Sequence, residues 1–168
     1  MTREAAVLVM VAVAAALLGL VAWGWARRVR RDRALSAPIG EIPAGAADVA
    51  EFETLYVATT RHDEPLERLA IRGMTLRSRA DVTVTDAGVA LDLTGRPRLF
   101  LASDRIAGVD QATVAIDRVV ERDGLTRLSW RADETTVVDT YLRPQSASAR
   151  ALAEAIRTTL TPTTGDDA

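Results

Sequence analysis

The chain has 168 residues and a net charge of −2, with 21 Arg, a single His, and neither Lys nor Cys. The missing cysteines exclude disulfides, thiolate metal sites and cysteine nucleophiles, and fit a reducing compartment. The slight acidic excess argues against a broad nucleic-acid-binding face, which requires clustered positive charge.

Ala5 to Ala26 is an uninterrupted run of 22 uncharged residues. As a helix it is about 33 Å long, enough for a hydrocarbon layer of about 30 Å. Leu8, Val11, Leu17, Leu18 and Leu20 carry much of its hydrophobicity, with Ala and Gly between them. Trp23 and Trp25 stand near its end, where amphipathic rings favour a membrane interface. A helix spans lipid because it pairs its own backbone polar groups. Arg27, Arg28, Arg30, Arg31 and Arg33 follow at once, whereas only Arg3 and the terminal amine precede the run. Basic flanks stay in the cytoplasm, so the expectation is a single-pass plasma-membrane protein, N-terminus outside and C-terminal domain inside. A cleaved signal peptide fits poorly, because its charge precedes a shorter apolar core. The arginines read first as a stop-transfer flank and second as an anionic-lipid or partner site.

Residues 1–33 hold six Arg against two acids, or +4, and the remainder fifteen Arg against 21 acids, or −6. Residues 34–50 are rich in Ala, Pro and Gly and read as a linker. Residues 51–161 read as one domain and 162–168 as a polar tail. From Glu51 apolar residues alternate with period two, giving a strand that ends near Thr60, followed by a turn over Arg61–Pro65. Asp63 is placed as the cap of a short helical stretch through Leu69. A strand is expected near Met74, then a hairpin over Arg79–Leu93 with the three-residue loop Asp86-Ala87-Gly88. Further strands are expected at Arg98–Leu101, at Leu125–Arg131 and at Thr135–Arg143, with weaker signals at Ile106–Val109 and Thr113–Ile116. Ala149, Leu152, Ala153, Ile156 and Leu160 have helical spacing, with Ser146 or Ser148 as N-cap and Pro162 beyond the end. The class is therefore mainly β (α+β): one transmembrane helix, then a small antiparallel β-barrel or sandwich with a C-terminal amphipathic helix.

The segments YVATTRHDEPLERLAIRG (Tyr56–Gly73), RADVTVTDAGVAL (Arg79–Leu91), IDRVVERDGLTRLSW (Ile116–Trp130) and VVDTYLRP (Val137–Pro144) carry a family resemblance. With the N-terminal span, they resemble actinobacterial membrane-anchored proteins with a bacterial pleckstrin-homology-like domain, loosely labelled as export or transport proteins. The resemblance implies a PH-like barrel and an anchor rather than a chemical activity.

No catalytic constellation is legible: there is no P-loop, G-x-G-x-x-G or G-x-S-x-G. His62, beside Asp63 and Glu64, reads as part of a solvated turn, because consecutive loop residues rarely converge on one ion. Asp81, Asp92, Asp117 and Asp139 alternate with apolar strand residues and read as outward-facing solubilising groups. Trp130 reads as core. The absence of Lys suggests a high-GC coding habit, so single arginines are not read as selected sites. Arg68, Arg72, Arg77 and Arg79 nevertheless form the densest basic group in the domain. They read as an exposed face or, on the family resemblance, as an anion- or partner-binding edge. The expected function is a non-enzymatic, membrane-tethered binding or scaffold module with no cofactor or metal and a protein partner. The alternatives are an accessory subunit of an export or transport complex and an anionic-lipid-binding domain.

Overall fold

The computed structural model describes residues 3–32, 35, 37–71, 73–74, 76–115, 118–119 and 124–160. The chain divides between residues 34 and 35 into two compact units. The first is helix α1 (Arg3–Asp32). Within it, Val7–Arg27 is long and apolar enough to cross a membrane. Leu8, Val11, Leu17, Leu18, Leu20, Trp23 and Trp25 are all exposed. The Arg27 guanidinium lies 5.8 Å from the centroid of the Trp23 ring, one turn back. Arg33 lies outside the described residues.

The second unit is an eight-stranded antiparallel sheet. Its strands are β1 (Asp48–Arg61), β2 (Glu64–Arg68), β3 (Ser78–Thr85), β4 (Gly88–Leu93), β5 (Leu99–Ala102), β6 (Ile106–Ala112), β9 (Leu125–Arg131) and β10 (Val137–Pro144). They follow the order β5-β4-β3-β1-β10-β9-β6, with β2 paired to β1. β7 (Val114–Ala115) and β8 (Arg118–Val119) form a separate hairpin. Helix α2 (Ala149–Leu160) packs across the sheet, with Leu152, Ala153 and Ile156 in one cluster with Tyr56, Val82, Leu91, Leu128, Trp130, Val138 and Leu142. The Ser148 hydroxyl accepts the Ala151 N–H at 3.1 Å and caps the helix N-terminus.

Three local expectations change. The stretch after Asp63 is strand β2, not helix. Asp63 adopts a left-handed conformation with φ 57°, which reverses the chain so that Glu64–Arg68 pairs back onto β1. The β3–β4 loop has two residues rather than three, because Gly88 already pairs with Thr85. A side chain at Gly88 would place its Cβ 2.1 Å from the Leu101 carbonyl oxygen, so the close approach of β4 to β5 requires glycine. Third, β3 begins at Ser78 rather than near Met74. Leu69, Ile71 and Met74 are instead buried in the preceding loop. That loop is pinned from below, where the Tyr56 hydroxyl donates to the Met74 carbonyl.

Within 34–50, Leu35 and Ala37 are buried in the main cluster. Phe100 N–H donates to Pro38 O at 2.8 Å and Gly40 N–H to Arg98 O at 3.2 Å, so this segment runs along β5. Arg98 reinforces it, bonded to Asp92 at 2.8 Å and Glu41 at 3.3 Å.

Candidate functional site

One group of polar side chains converges where the β1–β2 turn meets β9 and β10. Side chains alternate along a strand. In β10, Val138, Thr140 and Leu142 therefore face α2, and Asp139 and Tyr141 face the other way. In β9, Leu128 and Trp130 face α2, and Arg127 and Ser129 face away. The register sets Ser129 opposite Asp139 and Arg127 opposite Tyr141, with Asp110 of β6 beside Arg127. A bulge in β1 between Tyr56 and Ala58 shifts its phase and puts Thr60 opposite Asp139. The β1–β2 turn then folds His62 and Asp63 over that polar row.

Asp139 is the centre of the arrangement and is fully buried. This corrects its reading as an outward solubilising group. Its Oδ1 accepts the Ser129 hydroxyl at 2.6 Å and His62 Nδ1 at 2.8 Å. Its Oδ2 accepts the Asp63 backbone N–H at 3.1 Å, and Arg127 stands 3.8 Å away. A buried carboxylate is tolerable only with this density of donors. Because an ionised carboxylate only accepts, His62 Nδ1 carries the proton of that bond. His62 stays exposed in its turn and is, in addition, tied across 77 positions of sequence to Asp139. Asp81 is exposed, Asp92 is half-buried against Arg98, and Asp117 lies outside the described residues.

Arg127 joins the row to the surface through Asp63 Oδ1 and Asp110 Oδ2, each at 3.2 Å. Burial alone lowers its pKa, but the Asp110 hydrogen bond and the charges of Asp139 and Asp110 outweigh that and raise it. Its Nε is buried with no hydrogen-bond partner. Tyr141 is raised first by burial and then by the charge of Asp139. On the other face, Tyr56 is pushed up to about 12 by burial. There a chain of bonds runs from Trp130 Nε1 to the Thr140 hydroxyl at 2.9 Å, on to Thr59 at 2.9 Å, and to Tyr56 at 3.0 Å.

Ser129, His62 and Asp139 do not form a nucleophile–base relay. Both the hydroxyl and the imidazole are bonded to the carboxylate, and the serine is buried, so no activated oxygen faces substrate. Sequence reasoning missed Arg127, Ser129 and Asp110. The available signal was the β9–β10 hairpin, whose alternation places Arg127 and Ser129 on one face with Asp139.

The four arginines of the densest basic group occupy different environments. Arg68 is half-buried in β2, with NH2 3.4 Å from the Val57 carbonyl oxygen. Arg77 and Arg79 are exposed at the start of β3. Arg72 lies outside the described residues. Trp130 is buried, as its apolar strand implies, and Arg105 stacks 6.0 Å from its ring centroid.

Two solved structures are similar in fold. One is the C-terminal domain of an unknown protein from Leishmania infantum, at 11% identity, TM-score 0.46, with 70% of this chain and 88% of that one covered. The other is the C-terminal phosphotyrosine interaction domain of mouse APBB2, at 12% identity, TM-score 0.49, with 75% of this chain and 96% of that one covered. No curated protein matches the sequence. The profile of the family described as Bacterial PH domain-like matches residues 36–157, nearly the whole second unit. With an antiparallel sheet closed by a C-terminal helix and a profile match over most of its length, the chain belongs to the bacterial PH domain-like family.

Proposed function

We propose that this protein is a single-pass membrane protein whose PH-like domain is a non-enzymatic binding or scaffold module on the cytoplasmic side. The observation that carries the reading is α1, an apolar helix with exposed side chains and an arginine-rich end, followed directly by a family domain. The tether raises the local concentration of the domain for a protein partner at the membrane. Enzymatic activity has no support in the polar row, whose serine hydroxyl and His62 Nδ1 are both bonded to Asp139.

The absence of cysteine makes topology directly testable. Single cysteines replacing Thr2 and Thr164 are labelled in intact cells with a membrane-impermeant maleimide. Labelling at position 2 alone, with the protein resistant to alkaline extraction, is the expected result. Labelling at position 164, or release into the alkaline supernatant, overturns the reading.

Two exposed arginines at the start of β3, Arg77 just before it and Arg79 within it, favour anionic lipid as a second reading for the ligand. Residues 35–168 then co-float with phosphatidylglycerol vesicles at low salt, and Arg77→Ala with Arg79→Ala abolishes it; absence of co-flotation removes this reading. A role in an export complex is separable too. Replacing residues 5–26 with an unrelated anchor preserves a scaffold's function and removes that of an intramembrane subunit.

A further inference from the structure

His62 is the only histidine in the chain, and its two ring nitrogens have different surroundings. Nδ1 lies 2.8 Å from the buried Asp139 carboxylate. Nε2 lies 3.4 Å from Asp63 Oδ2, on the exposed side of the cluster. When a carboxylate holds one imidazole nitrogen as a donor, the other presents its lone pair outward; metal-binding histidines are oriented in this way. The 3.4 Å separation is long for a hydrogen bond. It matches the distance of about 3.3–3.4 Å between two ligand atoms on a tetrahedral ion with bonds of about 2.0–2.1 Å.

Asp63 is held in place independently of the imidazole. Its backbone N–H is bonded to Asp139 Oδ2 at 3.1 Å. Its Oδ1 takes the Arg127 guanidinium at 3.2 Å, which leaves Oδ2 facing His62. The left-handed backbone at Asp63 is what turns two consecutive side chains toward each other, contrary to the usual divergence of neighbours in a loop. Asp63, Asp110 and Asp139 outnumber the single guanidinium of Arg127, so the cluster with a neutral imidazole has a net charge of −2. The three ligand-type groups His62, Asp63 and Asp139 lie within 4.8 Å of one another.

We propose that His62 Nε2 and Asp63 Oδ2 form a solvent-open site for a divalent d-block cation of the zinc class. Asp139 orients the imidazole from beneath, and water completes the coordination. Imidazole selects this class over magnesium or calcium, which prefer all-oxygen shells. The positions that water fills are open to exchange with donor groups of a partner, so, resting on the binding-module function proposed above, the site is a ligand position rather than a catalytic centre.

The test uses the full chain in detergent, purified without a histidine tag. Zinc ion alone is titrated by calorimetry, while NMR follows the imidazole signals, which arise from one residue. The expected result is one saturable equivalent, a shift of the His62 ring resonances and reversal by EDTA. His62→Ala is expected to lower affinity at least tenfold. Asp63→Asn is expected to do the same while keeping the left-handed turn, since asparagine tolerates that conformation. Asp81→Asn, an exposed acid outside the cluster, leaves binding unchanged. If His62→Ala unfolds, Asp63→Asn decides the question. Zinc binding that survives Asp63→Asn, unmoved His62 signals, or no saturable binding below millimolar zinc overturns the proposal.

Discussion

Strands β9 and β10 present two faces that are both shut from solvent at their centres and are held by opposite means. Toward α2, Leu128, Trp130, Val138 and Leu142 pack into the main apolar cluster. Away from α2, Ser129 and Asp139 are just as buried but lie in a row of hydrogen bonds and ion pairs beneath the β1–β2 turn. The first face is stabilised by removing apolar area from water, which is non-directional. The second depends on each donor meeting its acceptor, so its parts are not independently replaceable. An alternating strand therefore says which residues share a face, and leaves open whether the polar face is wet.

The contrast can be broken from either side. Trp130→Ala leaves a large void and takes one of two partners from the Thr140 hydroxyl, and is expected to destabilise the domain by about 3–5 kcal/mol in urea unfolding. A loss below about 1 kcal/mol contradicts the buried position. Asp139→Ala leaves Arg127 with one carboxylate partner fewer and removes the acceptor of Ser129, His62 and the Asp63 N–H. The expected loss is about 3 kcal/mol. Its signature, unlike that of Trp130→Ala, is enhanced amide exchange at residues 62–64 as the turn lifts.

Tyr56→Phe tests the polar chain inside the apolar face and is expected to cost about 1–2 kcal/mol, because Thr59 and the Met74 carbonyl lose a partner. It also has a pH signature. Burial raises the Tyr56 hydroxyl from 10.0 to about 12, so the unfolded chain loses this proton first. Stability is complete below pH 10 and falls as pH rises through about 12. The phenylalanine variant lacks that contribution to alkaline unfolding, so an unchanged alkaline midpoint contradicts it. Ser129→Ala gives the smallest effect, about 1 kcal/mol, because Asp139 keeps His62, the Asp63 N–H and Arg127. A loss as large as that of Asp139→Ala makes the serine, rather than the imidazole, the principal support of the carboxylate.

The strands and the last helix were legible because their periods are local. Ala80, Val82 and Val84 against Val89, Leu91 and Leu93 mark a hairpin, and the Ser148 cap and apolar stripe mark α2. What sequence could not supply was the non-local geometry. His62 and Asp139 are 77 positions apart, and nothing in either segment names the other. Their meeting depends on the β1 bulge at Val57 and on the left-handed Asp63, neither of which has a distinctive residue such as glycine to announce it. Asp63 was instead read as a helix cap, since an aspartate after a turn has the same local chemistry in both settings. The buried carboxylate was misread for a related reason: burial is set by what folds over a strand, and the strand's own alternation is silent about it.

The segment Pro38–Gly40 on β5 has a consequence for crowding. An outer strand with unpaired backbone groups is a template for a strand from another molecule. Here Pro38 and Gly40 occupy those groups at Arg98 and Phe100, and the ion pairs of Arg98 clamp them in place. At high local concentration, residues 38–40 act as a built-in guard against edge-to-edge stacking. Their removal is paired with a specific failure, association of copies through β5, rather than with general unfolding.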